Sequence, residues 1–495
     1  MLDQTRIETL RHAAVAPALH VIDGERCAAS DGGVIEVISP LNGAVMTTMA
    51  AGTAEDTARA IRAARVAFDD GRWSGLAPAA RKAVMLKWAG LIEAEAPELA
   101  VLGVRNNGTE IGMALKAEPL SAAQTIRYYA EAIDKIYGEI APTGPGNLGL
   151  VHREPVGVVG AIVPWNFPLM IGAWKLGPAL AAGCSVVLKP AETASLTLVR
   201  IAELALEAGM PAGVLNVVTG LGSVVGEAIS TSMDVDVLVF TGSGPVGRRL
   251  LKASAESNMK RVYLELGGKS PNIVFADAPD LRQAAKVSAA GIFRNSGQVC
   301  VAGSRLLVER SIQEEFVALL AEETAKMKVG DPLDPATSAG AVNSLAQLEQ
   351  NLGFVEEARA LGRDIRTGGD RILQETGGFY MAPTIVTGVE PGDRLARDEV
   401  FGPVLAVTAF DGEDEAVAMA NATDYGLAAA VWTNDLSRAH RMVRRVKAGV
   451  IHVNTYGGSD LTVPLGGVKQ SGNGHDKSLH AFEKYLDLKT AWFQL

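Results

Sequence analysis

Short apolar segments alternate with helical patterns across the middle of this chain. Residues 158–163, 185–188, 214–218 and 235–240 are nearly all apolar and rich in β-branched side chains, and helical spacing separates them. Continuous apolar strands between helices are typical of a parallel sheet covered on both faces, which predicts an α/β fold. Such sheets bind ligands at the carboxyl ends of their strands, so we expect the functional residues there.

The preceding residues predict a scaffold of one strand pair and several helices. The strand pair is predicted within residues 33–50. Thr53 is predicted to cap the next helix, with the acidic Asp56 three residues later. Further helical patterns run over residues 78–106 and 121–135.

A second α/β region is predicted beyond residue 300. Ser311 with Glu314 predicts a capping box at the start of a helix. Strands are predicted at residues 404–410, 428–433 and 450–454.

The last eleven residues, 485–495, alternate weakly and are apolar for a chain end. A strand of this kind needs an edge to pair with, in its own chain or in another subunit. We therefore expect a homo-oligomer, either a dimer or a tetramer.

Composition excludes several classes of partner. The 495 residues include 46 Lys and Arg against 56 Asp and Glu, a net charge of -10, without a dense basic run, so we expect no nucleic acid partner. The three cysteines are widely spaced and no His cluster has metal-ligand spacing. We expect no disulfide framework, no metal site and a reducing, cytoplasmic compartment.

One uncharged run, residues 157–174, is long enough to imitate a membrane span. Pro164, Asn166 and Pro168 would interrupt a helix in lipid, so the run predicts a strand, a turn and a helix start. Residues 1–12 carry scattered charges and lack the apolar core of a secretory signal. We expect no membrane association.

Polar residues follow the predicted strands. Lys189 and Glu192 leave the strand at 185–188, where they could hold the ribose hydroxyls of an adenosine. The Glu192 charge would repel a 2′-phosphate and so favours NAD over NADP. A capped surface turn is the alternative interpretation.

Glycines follow two other predicted strands. Residues 220–222 (GLG) come after one, and residues 242–247 (GSGPVG) match the GxGxxG pattern after another. Pro245 suits the first turn of a helix, whose amides and dipole attract an anion. Chance matches are expected among 53 glycines, but the strand before and the helical pattern after this one favour a phosphate site.

Three side chains are candidates for acyl chemistry. Asn166 lies between two prolines that restrict its backbone, so its amide could stabilise an oxyanion, or it could simply cap a helix. Glu265 and Cys300 lie beside glycines and are a candidate base and nucleophile. Their alternatives are an edge charge and an inert core thiol.

The chain resembles the aldehyde dehydrogenase superfamily in seven strings that occur in the right order. They are residues 164–168 (PWNFP), 189–192 (KPAE), 240–243 (FTGS), 265–269 (ELGGK), 297–300 (GQVC), 399–403 (EVFGP) and 466–472 (GGVKQSG). The resemblance implies a Rossmann-like NAD-binding domain from residues 1–132 and 156–266. It also implies an α/β catalytic domain from 267–468 and a small β oligomerisation arm from 133–155 and 480–495.

The resemblance also assigns roles to individual residues. Cys300 resembles the nucleophile, Glu265 the general base and Asn166 the oxyanion donor. The residues that match cofactor contacts are Val163, Trp165, Lys189, Glu192, Gly222, Gly242, Ser243, Leu266, Glu399 and Phe401. For Glu399, a salt-bridged surface position is the alternative interpretation.

The implied reaction is NAD-dependent oxidation of an aldehyde to an acid. Cys300 attacks the aldehyde carbon, and the side-chain amide of Asn166 and a backbone amide near Cys300 hold the oxyanion. After hydride transfer, Glu265 activates the water that hydrolyses the thioester. The rival interpretations are an acyl-CoA-forming relative, a thiol esterase without cofactor, and a homologue that kept the fold but lost turnover.

The substrate is less well defined. Residues 462–481 are similar to the branch that oxidises γ-glutamyl-γ-aminobutyraldehyde and related aminoaldehydes, and a broad-specificity aliphatic or aromatic enzyme is the alternative. Family members usually carry Thr and Glu at Gly244 and Pro245, and an aromatic residue at Leu465. The candidate pocket residues flank the motifs, and ordinary packing is the alternative for each: Trp174, Val299, Val301, Tyr456, Asp460 and Leu465. Asp460 is the candidate partner of a substrate ammonium, or a turn cap.

Overall fold

A computed structural model describes residues 3–495, with two seven-stranded sheets at its centre. Across the first sheet the strands are Arg261–Glu265, Val237–Thr241, Val158–Ile162, Ser185–Lys189, Leu215–Val217, His20–Ile22 and Glu25–Cys27. The first five are parallel and the last two pair antiparallel at the edge. All four apolar strands predicted from the sequence are present, because burial on both faces leaves few polar positions in them.

Helices cover this sheet and extend the scaffold. Their bounds are Gln4–Arg11, Ala54–Asp69, Pro78–Ala94, Ala96–Asn107, Ile111–Leu115, Ser121–Ala132, Pro168–Ala182, Leu196–Glu207, Glu227–Thr231 and Gly244–Ala255. The Thr53–Asp56 capping box is confirmed, since each side chain accepts a hydrogen bond from the other residue's backbone amide. The predicted helix over 78–106 is two helices that break at Glu95, because Pro97 suits the first turn of a new helix.

The second sheet contains the strands Asp364–Thr367, Thr384–Thr387, Val404–Phe410, Arg305–Glu309, Pro271–Val274, Ala428–Trp432 and Val450–Val453, in spatial order. Only the first of these is antiparallel to its neighbour. Its helices are Leu281–Phe293, Gln313–Ala325, Leu345–Ala360, Arg394–Arg397, Gly412–Asn421 and Leu436–Arg445. Two small antiparallel pairs, Val34–Ile38 with Val45–Ala50 and Arg371–Ile372 with Tyr380–Met381, complete the outer parts.

The capping box predicted at Ser311 and Glu314 is wrong. Residues Arg310–Ile312 form a 3-10 turn, and the helix begins at Gln313 without a side-chain cap. Ser311 therefore lies inside the preceding turn, where its hydroxyl does not face the first amides of the helix. The helix buries Phe316 and Leu320.

A three-stranded antiparallel sheet lies apart from the two central sheets in the pairing scheme. Its strands are Leu486–Gln494, Asn147–Pro155 and Glu139–Ala141. The C-terminal strand thus finds its edge within its own chain. Large apolar side chains of this sheet remain exposed, among them Ile140, Leu488 and Trp492.

The uncharged run at 157–174 folds as predicted, into the strand Val158–Ile162, a turn and the start of the helix Pro168–Ala182. Over residues 3–495, no helix combines the length and the apolar character that crossing a bilayer would require. The absence of a secretory signal was predicted from residues 1–12, and residues 1 and 2 lie outside the described part.

Candidate active site

The carboxyl ends of the five parallel strands in the first sheet bring most of the predicted motifs to one edge. Glu265 and Thr241 end neighbouring strands, and Lys189 ends another. Asn166 follows the strand Val158–Ile162, which lies between the strands that end at Thr241 and Lys189. Motifs separated by up to 100 residues in sequence therefore meet because their strands are parallel and adjacent.

Cys300 follows a turn with unusual backbone geometry. Asn295, Ser296 and Gly297 all have positive φ angles, of 50°, 50° and 71°. A Cβ at position 297 would lie 2.1 Å from the carbonyl oxygen of Gly402, so only glycine fits there. Non-glycine residues at positive φ are strained, and strain of this kind is held in place by surrounding contacts.

Those contacts come from side chains within the turn. The Ser296 hydroxyl donates to the Gly340 carbonyl at 2.7 Å. The Gln298 side chain donates to the Asn295 carbonyl at 3.0 Å and accepts from the Asn343 amide at 2.8 Å. The turn is therefore fixed against residues 340–343 of the second half of the chain, and Cys300 is held at its end.

The Asn166 side chain reaches this turn directly. Its Nδ2 donates to the carbonyl oxygen of Gln298 at 2.8 Å, and the residue is buried. A side-chain amide nitrogen carries two hydrogens, so a second donor remains for an oxygen near Cys300. The prolines predicted to restrict Asn166 lie in the strand-to-helix turn, with Pro168 in the first turn of the helix.

The Cys300 sulfur is protonated in the resting site. Burial, together with the carboxylates of Glu399 and Glu265, raises the pKa of its thiol to about 12. The backbone amides of Val301 and Cys300 act in the opposite direction. A group that removes the proton, or positive charge brought close, is needed before the sulfur can act as a nucleophile.

Glu265 is a buried carboxyl group beside a cluster of buried charges. Burial raises its pKa well above the usual range, and the Asp476 carboxylate adds to the effect, while the Lys175 and Lys484 ammonium groups lower it. Lys175 Nζ lies 2.5 Å from Asp476 Oδ2, and Lys484 pairs with the other oxygen of Asp476. With Glu265 ionised, the four side chains carry two positive and two negative charges, so the buried set is neutral.

A cleft of about 430 Å³ opens beside Cys300. The sequence-predicted residues that line it are Trp165, Asn166, Gly242, Ser243, Leu266, Cys300, Glu399 and Phe401. Burial raises the pKa of Glu399 to about 7, and its Oε1 accepts a hydrogen bond from the Gly268 amide at 3.0 Å. The surface position considered for Glu399 is therefore not what the structure shows.

The cleft fits the phosphates and ribose of a dinucleotide. The helix Gly244–Ala255 begins at its edge with Pro245 in the first turn and no side-chain cap, so its first amides remain free for an anion. The Thr241 hydroxyl is buried there without a hydrogen-bond partner.

The remaining predicted cofactor residues lie on the neighbouring strand ends, outside the lining of the cleft. Lys189 Nζ lies 3.1 Å from Glu192 Oε1, and the same oxygen accepts from the Gly222 amide at 2.5 Å. The Val163 amide donates to the Lys189 carbonyl at 3.1 Å. These residues continue the same edge of the sheet, where a long ligand such as a dinucleotide would extend.

A second cavity, of about 420 Å³, lies on the other side of the Cys300 turn. Cys300 and Ile171 line the first cavity, whereas their chain neighbours Val301 and Met170 line the second. Of the predicted pocket residues, this cavity is lined by Trp174, Val301, Asp460 and Leu465. Residues adjacent in the chain therefore line two different cavities.

Val299 and Tyr456 do not line this cavity. Val299 packs against the core around Phe293 and Ala302. The Tyr456 hydroxyl donates to the Val301 carbonyl at 2.8 Å, so Tyr456 supports the segment that follows Cys300. Adjacency to a motif predicted both residues, but it does not determine which way a side chain points.

Sequence reasoning missed several residues of the site. In the cleft these include Gln347, Gln350 and Phe354, from a helix that carries no recognisable motif. It also missed Lys175, the one charge in the apolar helix Pro168–Ala182, whose isolation was a usable signal. Asp476 and Lys484 gave no signal, because eight residues separate them in no recognised pattern and their other partner, Lys175, lies 301 positions before Asp476.

The helix that follows Asn166 begins on a buried carboxyl group. Glu118 Oε2 accepts from the amides of Leu169 and Met170, at 2.7 and 3.2 Å. Its other oxygen has no partner, and burial raises the pKa of Glu118 to about 8. Glu118 thus fixes the start of the helix immediately after the Asn166 turn.

Comparison with known proteins gives consistent matches. A sequence model of the aldehyde dehydrogenase family matches residues 27–491. The NADP/NAD-dependent aldehyde dehydrogenase PuuC of Escherichia coli strain K12 is 52% identical over 474 residues, which cover 96% of this chain and 95% of that protein.

Two solved structures superpose over the whole chain. An indole-3-acetaldehyde dehydrogenase in complex with NAD+ has a TM-score of 0.98 at 52% identity, covering 100% of both chains. A γ-glutamyl-γ-aminobutyraldehyde dehydrogenase from Burkholderia cenocepacia has a TM-score of 0.97 at 49% identity, also covering 100% of both chains.

Glu118→Gln should make stability less sensitive to pH. Between about pH 4.5 and 8 the unfolded chain ionises Glu118 while the folded chain keeps it protonated, so this group's contribution to stability falls as pH rises. Gln cannot ionise. Its stability relative to the parent protein should rise by roughly 1.4 kcal/mol per pH unit across that window.

Melting temperatures at pH 5 and pH 8 test this expectation. Glu131→Gln, on the exposed face of the helix Ser121–Ala132, is the control and should follow the parent protein at both values. An equal difference between Glu118→Gln and the parent at both pH values would show that Glu118 does not hold a proton in the fold.

Proposed function

The chain belongs to the aldehyde dehydrogenase family, and on this premise we propose that it oxidises an aminoaldehyde to the carboxylic acid with NAD through a thioester on Cys300. The resemblance predicted from the seven sequence strings is thereby confirmed. The observation that carries the proposed roles is that Cys300 and Asn166 line the same cleft, while the Glu265 charge raises the pKa of the Cys300 thiol.

We assign the first step to Cys300, Asn166 and Glu265. The thiol proton must leave as the sulfur bonds to the aldehyde carbon, and we assign Glu265, whose charge raises the pKa of Cys300, as the group that accepts it. The carbonyl oxygen becomes an oxyanion. Asn166 Nδ2 has one hydrogen left after its bond to Gln298, and it donates to that oxygen together with a backbone amide of the Cys300 turn.

We assign hydrolysis of the thioester to Glu265. After the thiol proton has passed from Glu265 to solvent, the carboxylate takes a proton from water, and hydroxide adds to the thioester carbon. The sulfur then leaves as a thiolate, which is reprotonated as the acid forms. The ammonium groups of Lys175 and Lys484 favour the ionised form of Glu265 and oppose the rise in its pKa that burial and the Asp476 carboxylate cause. An acyl-CoA-forming enzyme has no need of this base, so its presence favours hydrolysis.

We assign the cleft of about 430 Å³ to NAD. The helix Gly244–Ala255 would hold the pyrophosphate, Lys189 and Glu192 the adenosine ribose, and Glu399 the other ribose. When bound, NAD supplies the acceptor for the hydride of the aldehyde carbon. The Glu192 carboxylate supports NAD over NADP, because it would repel a 2′-phosphate.

The substrate assignment rests on the second cavity. Asp460 lines it, and its Oδ1 accepts from the Thr462 amide and hydroxyl at 2.8 and 2.7 Å, so the residue caps a turn and still presents a carboxylate. That charge suits a substrate ammonium. Relatives of similar identity carry names for both an amino-substituted and an indole aldehyde, so a broad-specificity enzyme is the alternative.

We also propose a cytoplasmic homo-oligomer. The exposed apolar side chains of the sheet Glu139–Ala141, Asn147–Pro155 and Leu486–Gln494 would be covered by another subunit. The proposed units are an NAD-binding domain at 1–132 and 156–266, a catalytic domain at 267–468, and this arm at 133–155 and 480–495. A silent homologue is disfavoured because Cys300, Asn166 and Glu265 are all retained.

Substitutions at Cys300 and Glu265 should separate the two chemical steps. With propanal and NAD, Cys300→Ala should abolish NADH formation, including the first turnover. Glu265→Gln should keep a burst of about one NADH per site and lose about 10²–10⁴-fold in the steady-state rate. Cys27→Ala, a partly exposed thiol elsewhere, is the control.

Stopped-flow absorbance of NADH checks both steps. Steady turnover by Cys300→Ala would rule out the thiol mechanism. Ester cleavage that does not depend on NAD would instead support the esterase alternative.

Glu192→Ala should improve the use of NADP. Removing the carboxylate removes its repulsion of the 2′-phosphate and frees Lys189 from its ion pair. We expect kcat/KM for NADP to rise about tenfold, or about 1.4 kcal/mol, with a small loss for NAD. Glu207→Gln, which ion-pairs with Arg200 away from the cleft, is the control, and an unchanged NADP/NAD ratio in Glu192→Ala would remove Glu192 from cofactor choice.

Charges on the arm should dissociate the oligomer. Leu488→Glu with Trp492→Glu places two carboxylates on one face of the C-terminal strand, where the parent has exposed apolar groups. Light scattering after gel filtration should show a smaller assembly than for the parent protein. Met233→Glu, at an equally exposed apolar position outside the arm, should leave the assembly unchanged, and a monomeric parent would contradict the proposal.

A further inference from the structure

Lys477 is a buried lysine in the wall of the second cavity. Its Nζ donates to Ser459 twice, to the carbonyl oxygen at 3.2 Å and to the hydroxyl oxygen at 2.5 Å. Within residues 3–495, no Asp or Glu oxygen lies within 4.0 Å of this nitrogen. The ammonium therefore has polar partners but no counter-charge in contact with it.

Such an arrangement is unfavourable in the free protein. A buried charge is stabilised by a paired opposite charge. Burial lowers the pKa of Lys477, and the Asp460 carboxylate, which is not in contact with it, acts in the opposite direction. The backbone of Lys477 also has a positive φ of 65°, as does that of Ser478 at 50°. Strained backbone at a polar position is common where a side chain is aimed at a ligand.

The cavity offers few other charges to an incoming ligand. Asp460 is the acidic group in its lining, and His452 is the other ionisable base. Burial lowers the pKa of His452 and the nearby Lys477 charge lowers it further, so the imidazole is neutral at neutral pH. Lys477 and Asp460 are thus the positive and the negative group of the cavity, and they do not form a close ion pair with each other.

We propose that Lys477 forms an anion subsite in the substrate cavity and selects aldehydes that carry a carboxylate at the end remote from the reacting carbon. The inference rests on the proposed function, since it assigns the far end of the same cavity. Together with Asp460, the subsite would recognise a terminus that bears both a carboxylate and an ammonium, as the α-carbon of an amino acid does.

A carboxylate fits this subsite better than a phosphate. One ammonium and the Ser459 hydroxyl can satisfy a single negative charge, and phosphate recognition usually gathers several donors or an arginine. The Asp460 carboxylate in the same cavity would also repel a dianion.

Four amides of 4-aminobutanal test the subsite at constant length. The acyl groups are γ-glutamyl, glutaryl, 4-aminobutanoyl and butanoyl, so that the distal end has both charges, the carboxylate only, the ammonium only, or neither. The variants are Lys477→Met, which keeps the length and flexibility of the side chain, and Asp460→Asn as the matched control. Butanal is the reference substrate.

In the parent protein, removing the carboxylate should lower kcat/KM about 10–100-fold, the range of a hydrogen bond to a charged group. Lys477→Met should lose that discrimination and keep its rate with butanal. Asp460→Asn should keep the preference for the carboxylate and lose the preference for the ammonium. A double-mutant cycle over ligand and protein then isolates the Lys477–carboxylate coupling.

The outcomes separate the two proposals. Parent protein that oxidises butanal with NAD but shows no preference for the carboxylate overturns the anion subsite and leaves the proposed function intact. No turnover with any aldehyde overturns the proposed function itself. An equal loss with all five substrates in Lys477→Met would mean that the lysine only supports the loop at Ser459, and this also overturns the subsite.

A folding defect would not leave the question open. If Lys477→Met does not fold, Lys477→Arg retains the charge and should retain a preference of at least tenfold for the carboxylate, as its donors still face the cavity. The parent alone supplies a second measurement, because the carboxylate preference should shrink as salt is raised, and a preference independent of salt would contradict an ionic subsite.

Discussion

Three groups that become negative share one buried space in this protein: the Cys300 thiol, Glu265 and Glu399. Their repulsion is the constraint around which the site is organised, since only part of that charge can be present at once in a low dielectric. The structure answers it with positive charge and dipoles from elsewhere, namely the two lysines around Asp476, the Asn166 amide and the amides of the Cys300 turn. In the reaction that we propose, proton transfer between these groups accompanies bond formation at the sulfur.

The same constraint explains why distant segments converge. Lys175 comes from the helix after the first strand of the parallel set, whereas Asp476 and Lys484 come from the last twenty residues, 301 positions away in the case of Asp476. The Cys300 turn is likewise fixed by a distant segment, residues 340–343. Neither sheet contains the whole site, so correct chemistry depends on both halves of the chain being folded against each other.

The sequence predicted the features that depend on local patterns of apolar and polar residues. Strands buried on both faces appear as apolar runs, and their polar ends marked Asn166, Lys189 and Glu265 correctly as neighbours at one edge. The sequence did not predict the direction in which individual side chains point or the pairing of residues far apart in the chain. Val299 and Val301 differ by two positions and point to different surroundings, and the Ser311 capping pattern could not reveal the 3-10 turn that absorbs it. The Asp476 cluster depends on a pairing that no local pattern records.

The resting state of Cys300 bears on how the enzyme ages. Peroxide and disulfides attack the thiolate, so a sulfur whose pKa is raised to about 12 is a poor target at neutral pH. The features that make Cys300 inert before an aldehyde arrives therefore also shield it from oxidation.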